Sequence, residues 1–157
     1  MANLLILFQA DTESTEQLAL AIAVGAVEAE ANIRLRRLLL PGAPEIGHKG
    51  YGKLQPADLL WADTVVVGLE STDPAPPELN PFLEMLHDLP AGSQKRVWTF
   101  HAAFLGEPPT AAQSLVLAAS KAAGIRSLEL PQSPFATPEE RLGAMKQAGR
   151  HCAQPAN

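Results

Sequence analysis

Apolar positions along this chain follow two rhythms. Short unbroken runs alternate with longer stretches whose apolar residues recur at helical spacing. Leu4-Leu5-Ile6-Leu7-Phe8 is an unbroken run, and so is Val65-Val66-Val67 within Thr64–Gly68. Such runs suit strands buried on both faces of a parallel sheet. Ile33-Arg34-Leu35-Arg36 alternates instead, which predicts a strand with one wet face at a sheet edge. Arg96–Phe100 and Leu128-Glu129-Leu130 are the remaining predicted strands.

Helical segments lie between the strands. The first runs from Ser14 or Thr15 to about Ala31, and Ser14 with Gln17 has the spacing of a capping box. Pro56–Ala62 is a short helix. Glu78–Leu89 places Leu79, Phe82, Leu83 and Leu86 on one face. Thr110–Ala123 is closed by Gly124, and Thr137-Pro138-Glu139-Glu140 combines an N-cap, a proline at N1 and a glutamate at N3. Pro41–Lys53, with four glycines and two prolines, reads as a surface loop. This alternation predicts one doubly wound α/β domain over residues 1–153, a five-stranded parallel sheet with helices on both faces, and a tail at 154–157.

Composition narrows the function classes. The net charge of −5 argues against bulk binding of nucleic acid or an anionic membrane. Charged residues make up only 18% of the chain, so part of the surface is apolar and a homo-oligomer is expected. The single cysteine, Cys152, excludes an internal disulfide and suits a reducing cytoplasm. Its expected state is an inert thiol near a frayed end. The chain opens on a strand without a basic leader, and its longest apolar run, Leu18–Val27, is short for a membrane span.

The chemistry concentrates in the loop after the first strand. Strand, hydroxyl-rich loop and helix follow without a gap, an order that aims helix N–H groups and the hydroxyls of Thr12, Ser14 and Thr15 at a phosphate. The same loop carries Asp11 and Glu13. One like-charge pair at 4 Å costs about 1 kcal/mol in water and about 4 kcal/mol at an effective dielectric near 20.

The whole pattern resembles the flavodoxin-like fold, whose strand order is 2-1-3-4-5. Flavodoxins carry an apolar strand ending in an aromatic, then Ser/Thr-x-Thr-Gly-x-Thr, then a helix with alanine four residues on. Here Ile6-Leu7-Phe8, Thr12, Thr15 and Ala19 match, whereas Ala10 and Glu13 depart from the pattern. Ala62-Asp63-Thr64-Val65-Val66-Val67-Gly68, followed by Phe82-Leu83, resembles the NAD(P)H:quinone oxidoreductase branch. The branch's Thr-Pro-Thr and Gly-Asn elements are missing from Leu69–Pro77, and His101–Pro109 has one glycine where the branch is glycine-rich.

The resemblance implies FMN as cofactor, with NAD(P)H and a quinone as reaction partners. It places the FMN phosphate on Thr12, Ser14 and Thr15 and the ring near Ser71, Thr72, His101 and Phe104. Phe104 has a second reading, as a core plug or an oligomer contact. The departures in all three loops support an alternative: a flavodoxin-like binding or interaction module that has lost FMN. Asp11, Glu13, Glu70 and Asp73 with His101 have the residue types of a cation site, but no diagnostic spacing, and solvated loop carboxylates are the plainer reading. Ser71 with His101 lacks the Gly-x-Ser-x-Gly elbow of a hydrolase. Arg34, Arg36 and Arg37 read as the wet face of an edge strand.

Overall fold

A computed structural model of the chain describes residues 2–9, 13–38, 51–70, 76–90, 92, 94–101, 109–128 and 137–154. In chain order the elements are β1 (Asn3–Gln9), α1 (Glu13–Glu28), β2 (Asn32–Leu38), β3 (Gly52–Lys53) and α2 (Pro56–Trp61). Then come β4 (Thr64–Leu69), a single 3-10 turn (Pro77–Leu79), α3 (Asn80–His87) and β5 (Arg96–His101). The last are α4 (Ala111–Ala122), β6 (Arg126–Ser127) and α5 (Pro138–Cys152). The strands form one parallel sheet in the order β3-β2-β1-β4-β5-β6.

The expected order 2-1-3-4-5 is present inside this sheet, but the strand count is corrected from five to six. Gly52–Lys53, expected to be loop, pairs with Arg36 and Arg37 and covers the outer edge of β2. The last strand is also displaced. Arg126–Ser127 pair with β5, and Leu128 adds one bond from its N–H to the Val97 carbonyl. Glu129 and Leu130 lie outside the described residues.

Period-two alternation sorts the strand residues onto two cores. Leu5, Leu7, Val65, Val67 and Val97 face α2, α3 and α4, meeting Leu59, Phe82, Leu86 and Val116. Leu4, Ile6, Phe8, Val66 and Phe100 face α1 and α5, meeting Leu18, Ile22, Ala26 and Met145. The central strands β1 and β4 contribute to both cores, which explains why their sequences are apolar without alternation.

Helix starts follow their capping chemistry where the sequence supplies it. The Thr110 hydroxyl accepts from the Gln113 N–H, and the Thr137 hydroxyl accepts from the Glu140 N–H. The start of α1 is corrected. Ser14 and Thr15 sit inside its first turn, one residue or more past Glu13, so neither is the cap. At the other end of the chain, Arg96 of β5 donates from Nη2 to the carbonyls of Cys152 and Gln154 and ties down the last turn of α5. The C-terminal helix is therefore anchored at Cys152 rather than frayed. The Cys152 thiol is fully buried, and that burial pushes its pKa up to about 12, which leaves it unreactive.

Two glycines allow α1 and α5 to touch through their backbones. A Cβ at Gly149 would stand 2.0 Å from the Ile22 carbonyl oxygen, and one at Gly25 would stand 1.9 Å from the Lys146 carbonyl oxygen. Backbone atoms inside two packed helices cannot step aside, so Gly149→Ala is expected to cost about 3 kcal/mol. Gly143, on the same helix, has open space around it. Gly143→Ala should stabilise the protein by about 0.5–1 kcal/mol through helix propensity. Urea unfolding of the two variants checks both signs. Equal midpoints would show that the helices do not meet at Gly149.

Candidate functional site

In an open parallel sheet, ligands collect beyond the C-terminal ends of the strands where the chain reverses its winding direction. Here that point lies between β1 and β4. β1 is flanked by β2 on one side and β4 on the other, and the helices that follow β1 and β4 pack on opposite faces. Gln9 ends β1, Glu70 follows β4, Thr15 lies in the first turn of α1, and Glu78 lies in the 3-10 turn before α3.

These four residues are joined by hydrogen bonds. Gln9 is 3% exposed, and its amide is used at both ends. Its Oε1 accepts from the Glu70 backbone N–H at 2.6 Å, and its Nε2 donates to Glu78 Oε2 at 3.1 Å. The Glu70 side chain turns to the other face, where its Oε1 accepts from the Thr15 hydroxyl at 2.5 Å. Thr15 is fully buried. A chain of contacts thus runs Thr15–Glu70–Gln9–Glu78 across the corner.

The expected site residues divide as follows. Thr15 is at the corner, and its hydroxyl is bonded to a carboxylate. Ser14 is in the same helical turn and exposed to solvent. His101 ends β5, opposite Leu69, and is 3% exposed. Thr12, Ser71, Thr72 and Phe104 lie outside the described residues, as do Asp11 and Asp73. Among the described residues no three His, Cys, Asp or Glu side chains are grouped to hold a metal ion. Gln9 and Glu78 were not singled out by the sequence. The available signal was Gln9 itself, a polar residue ending an otherwise apolar buried strand.

A phosphate monoester needs donors, and several of the described side chains at this corner are carboxylates. The first turn of α1 already carries Glu13 and Glu16, which answer the positive end of the helix. Thr15 spends its hydroxyl proton on Glu70. Of the described residues, the Thr15 hydroxyl and the acidic side chains of this turn, as they are placed, do not fit the phosphate of FMN.

Two arginines of β2 are also corrected. Arg34 and Arg36 do not form a wet face. Arg34 Nη1 donates to Asp58 Oδ1 at 3.0 Å, and Arg36 Nε donates to Asp58 Oδ2 at 3.1 Å. Asp58 is 2% exposed. The Arg34 guanidinium also stacks 4.2 Å from the centre of the Trp61 ring. A separate hollow of about 450 Å³ opens between the C-terminal ends of α3 and α4, lined by Leu83, Leu86, His87, Leu89, Ala119 and Ala123. It lies where the strands begin, away from the corner.

The fold is that of the flavodoxins. An archaeal flavodoxin superposes with a TM-score of 0.67 at 13% identity, covering 96% of each chain. Flavodoxin 2 from Bacillus cereus gives 0.64 at 17% identity, covering 94% of this chain and 95% of its own. An NAD(P)H:quinone oxidoreductase from Methanothermobacter marburgensis gives 0.60 at 15% identity, covering 99% of both chains. No protein-family model matches the sequence, and no curated protein matches it. Identities this low establish an α/β protein of flavodoxin-like fold. No helix among the described residues is long and apolar enough to cross a membrane.

Proposed function

We propose that this chain is a flavodoxin-fold binding or interaction module that works without FMN. The observation that carries this reading is the Thr15–Glu70 hydrogen bond. It commits a buried hydroxyl at the fold's ligand corner to a carboxylate of the same chain. Self-association belongs to the same proposal, since Val24, Val27 and Leu60 each leave half or more of their surface exposed.

One observation favours a second reading, FMN-dependent electron transfer or NAD(P)H:quinone reduction. The sheet and helices follow those of flavodoxins and a quinone oxidoreductase over nearly their whole length. In that reading FMN, NAD(P)H and a quinone are the partners, and FMN carries the redox chemistry.

Titrating the purified protein with FMN separates the two readings. Flavin fluorescence should stay unquenched through the low-micromolar range, and the protein should be colourless as isolated. Saturable quenching with a visible flavin spectrum would sink the first reading in favour of the second.

A further inference from the structure

We infer that Glu70 is a built-in anion that takes the place of a ligand phosphate at the β1–β4 corner, and so decides what the chain can bind there. This rests on the FMN-free reading above and goes further by naming the residue responsible.

Glu70 is held from two directions. Its backbone N–H is bonded to Gln9 Oε1 at 2.6 Å, and Gln9 is itself anchored to Glu78 at 3.1 Å. Its carboxylate meets the Thr15 hydroxyl in the first turn of α1 at 2.5 Å. A carboxylate in that position makes the interactions a phosphate oxygen would make at a helix N-terminus. It accepts from a hydroxyl and answers the positive end of the helix dipole. An incoming phosphate would have to displace it, and would then lie in the field of Glu13 and Glu16.

The clamp also satisfies buried polar groups of the corner. Thr15 is fully buried and Gln9 is 3% exposed, and buried polar groups need partners. Glu70 serves both residues, accepting from one and donating to the other. Removing its carboxylate leaves the Thr15 hydroxyl as a donor in search of an acceptor, beside a helix end with one neighbouring charge fewer.

The test compares FMN with riboflavin, which carries the same ring without the phosphate. Glu70→Ser removes the charge and the reach of the side chain. It should bind FMN at least about tenfold more tightly than the wild type, a difference of about 1.4 kcal/mol. Riboflavin affinity should not change, and adding Thr15→Val should reverse the gain. Glu70→Gln keeps the side-chain shape without the charge and should shift FMN affinity in the same direction by less. It also decides the question if the serine variant fails to fold. Equal FMN affinity in the wild type and the folded Glu70 variants would overturn the inference. An equal gain for riboflavin would overturn it too, because the phosphate would then play no part. Tight FMN binding by the wild type would instead overturn the FMN-free reading, so the two failures are told apart.

Discussion

Val66→Asp should leave no soluble, cooperatively folded protein. Val66 is fully buried in the middle of β4, with Ile6 beside it on β1 and Trp98 beside it on β5. It packs in the core formed by Leu4, Ile6, Phe8 and Phe100 with the apolar face of α1. The substitution forfeits about 1.5–3 kcal/mol of valine burial. It also places an unpaired carboxylate in that core, at a further cost of several kcal/mol. A domain of this size has about 5–15 kcal/mol of stability in total. Val66→Ala makes only a cavity and should cost about 2 kcal/mol, leaving a folded protein with a lowered denaturant midpoint. Soluble yield and urea unfolding of the pair check the expectation. A cooperatively folded aspartate variant would mean that β4 is not a central strand.

Asp58→Asn should cost about 3 kcal/mol and change how stability depends on pH. The Asp58 carboxylate receives three donors: Arg34, Arg36 and the Gln55 backbone N–H at 2.9 Å. Burial alone would raise its pKa. The Gln55 N–H and the two guanidinium groups outweigh that effect and hold the carboxyl below the usual aspartate range. A depressed folded-state pKa contributes stability that is fully present above the unfolded value, near 3.9, and is lost as pH falls through the folded value. The wild type should therefore weaken below about pH 4, and Asp58→Asn should show a flatter profile there while being less stable at neutral pH.

Removing the charge of Asp58 takes from both guanidinium groups the buried counter-charge they share, which is why the loss exceeds that of a surface pair. Arg34→Gln should cost about 1 kcal/mol, because it gives up a half-exposed ion pair and the stacking on Trp61. From the sequence alone that substitution is expected to be nearly silent; the contact with Asp58 changes the expectation. Thermal or urea unfolding between acidic and neutral pH reads all three chains. A profile unchanged in Asp58→Asn would show that Asp58 is not the group being titrated.

The sheet order was legible in the sequence because burial on two faces demands apolar residues at every position. Leu4–Phe8 and Val65–Val67 satisfy that demand, and β1 and β4 are indeed neighbours at the centre. Arg34 and Arg36 pointed to a place for β2 outward of β1, although their side chains turn to Asp58 rather than to water. The last helix was legible through local bonds alone, since Thr137 and Glu140 lie within one turn. These signals depend on residues close in sequence or on a period of two or 3.6, and a linear chain displays both.

What the sequence did not display were pairings across long separations. Gly52–Lys53 becomes a strand only because the edge of β2 offers it unpaired backbone groups. Asp58 becomes the partner of Arg34 and Arg36 only when α2 folds back over β2. At the candidate site, Thr12, Ser14 and Thr15 suggested an anion corner, and Asp11 and Glu13 suggested a conflict within one loop. The tertiary structure adds a carboxylate from elsewhere, Glu70, more than fifty residues from Thr15. The hydroxyl loop was written in the sequence because a helix start is local. The Glu70 contact depends on the sheet, which sets β4 beside β1 and so carries Glu70 to the first turn of α1.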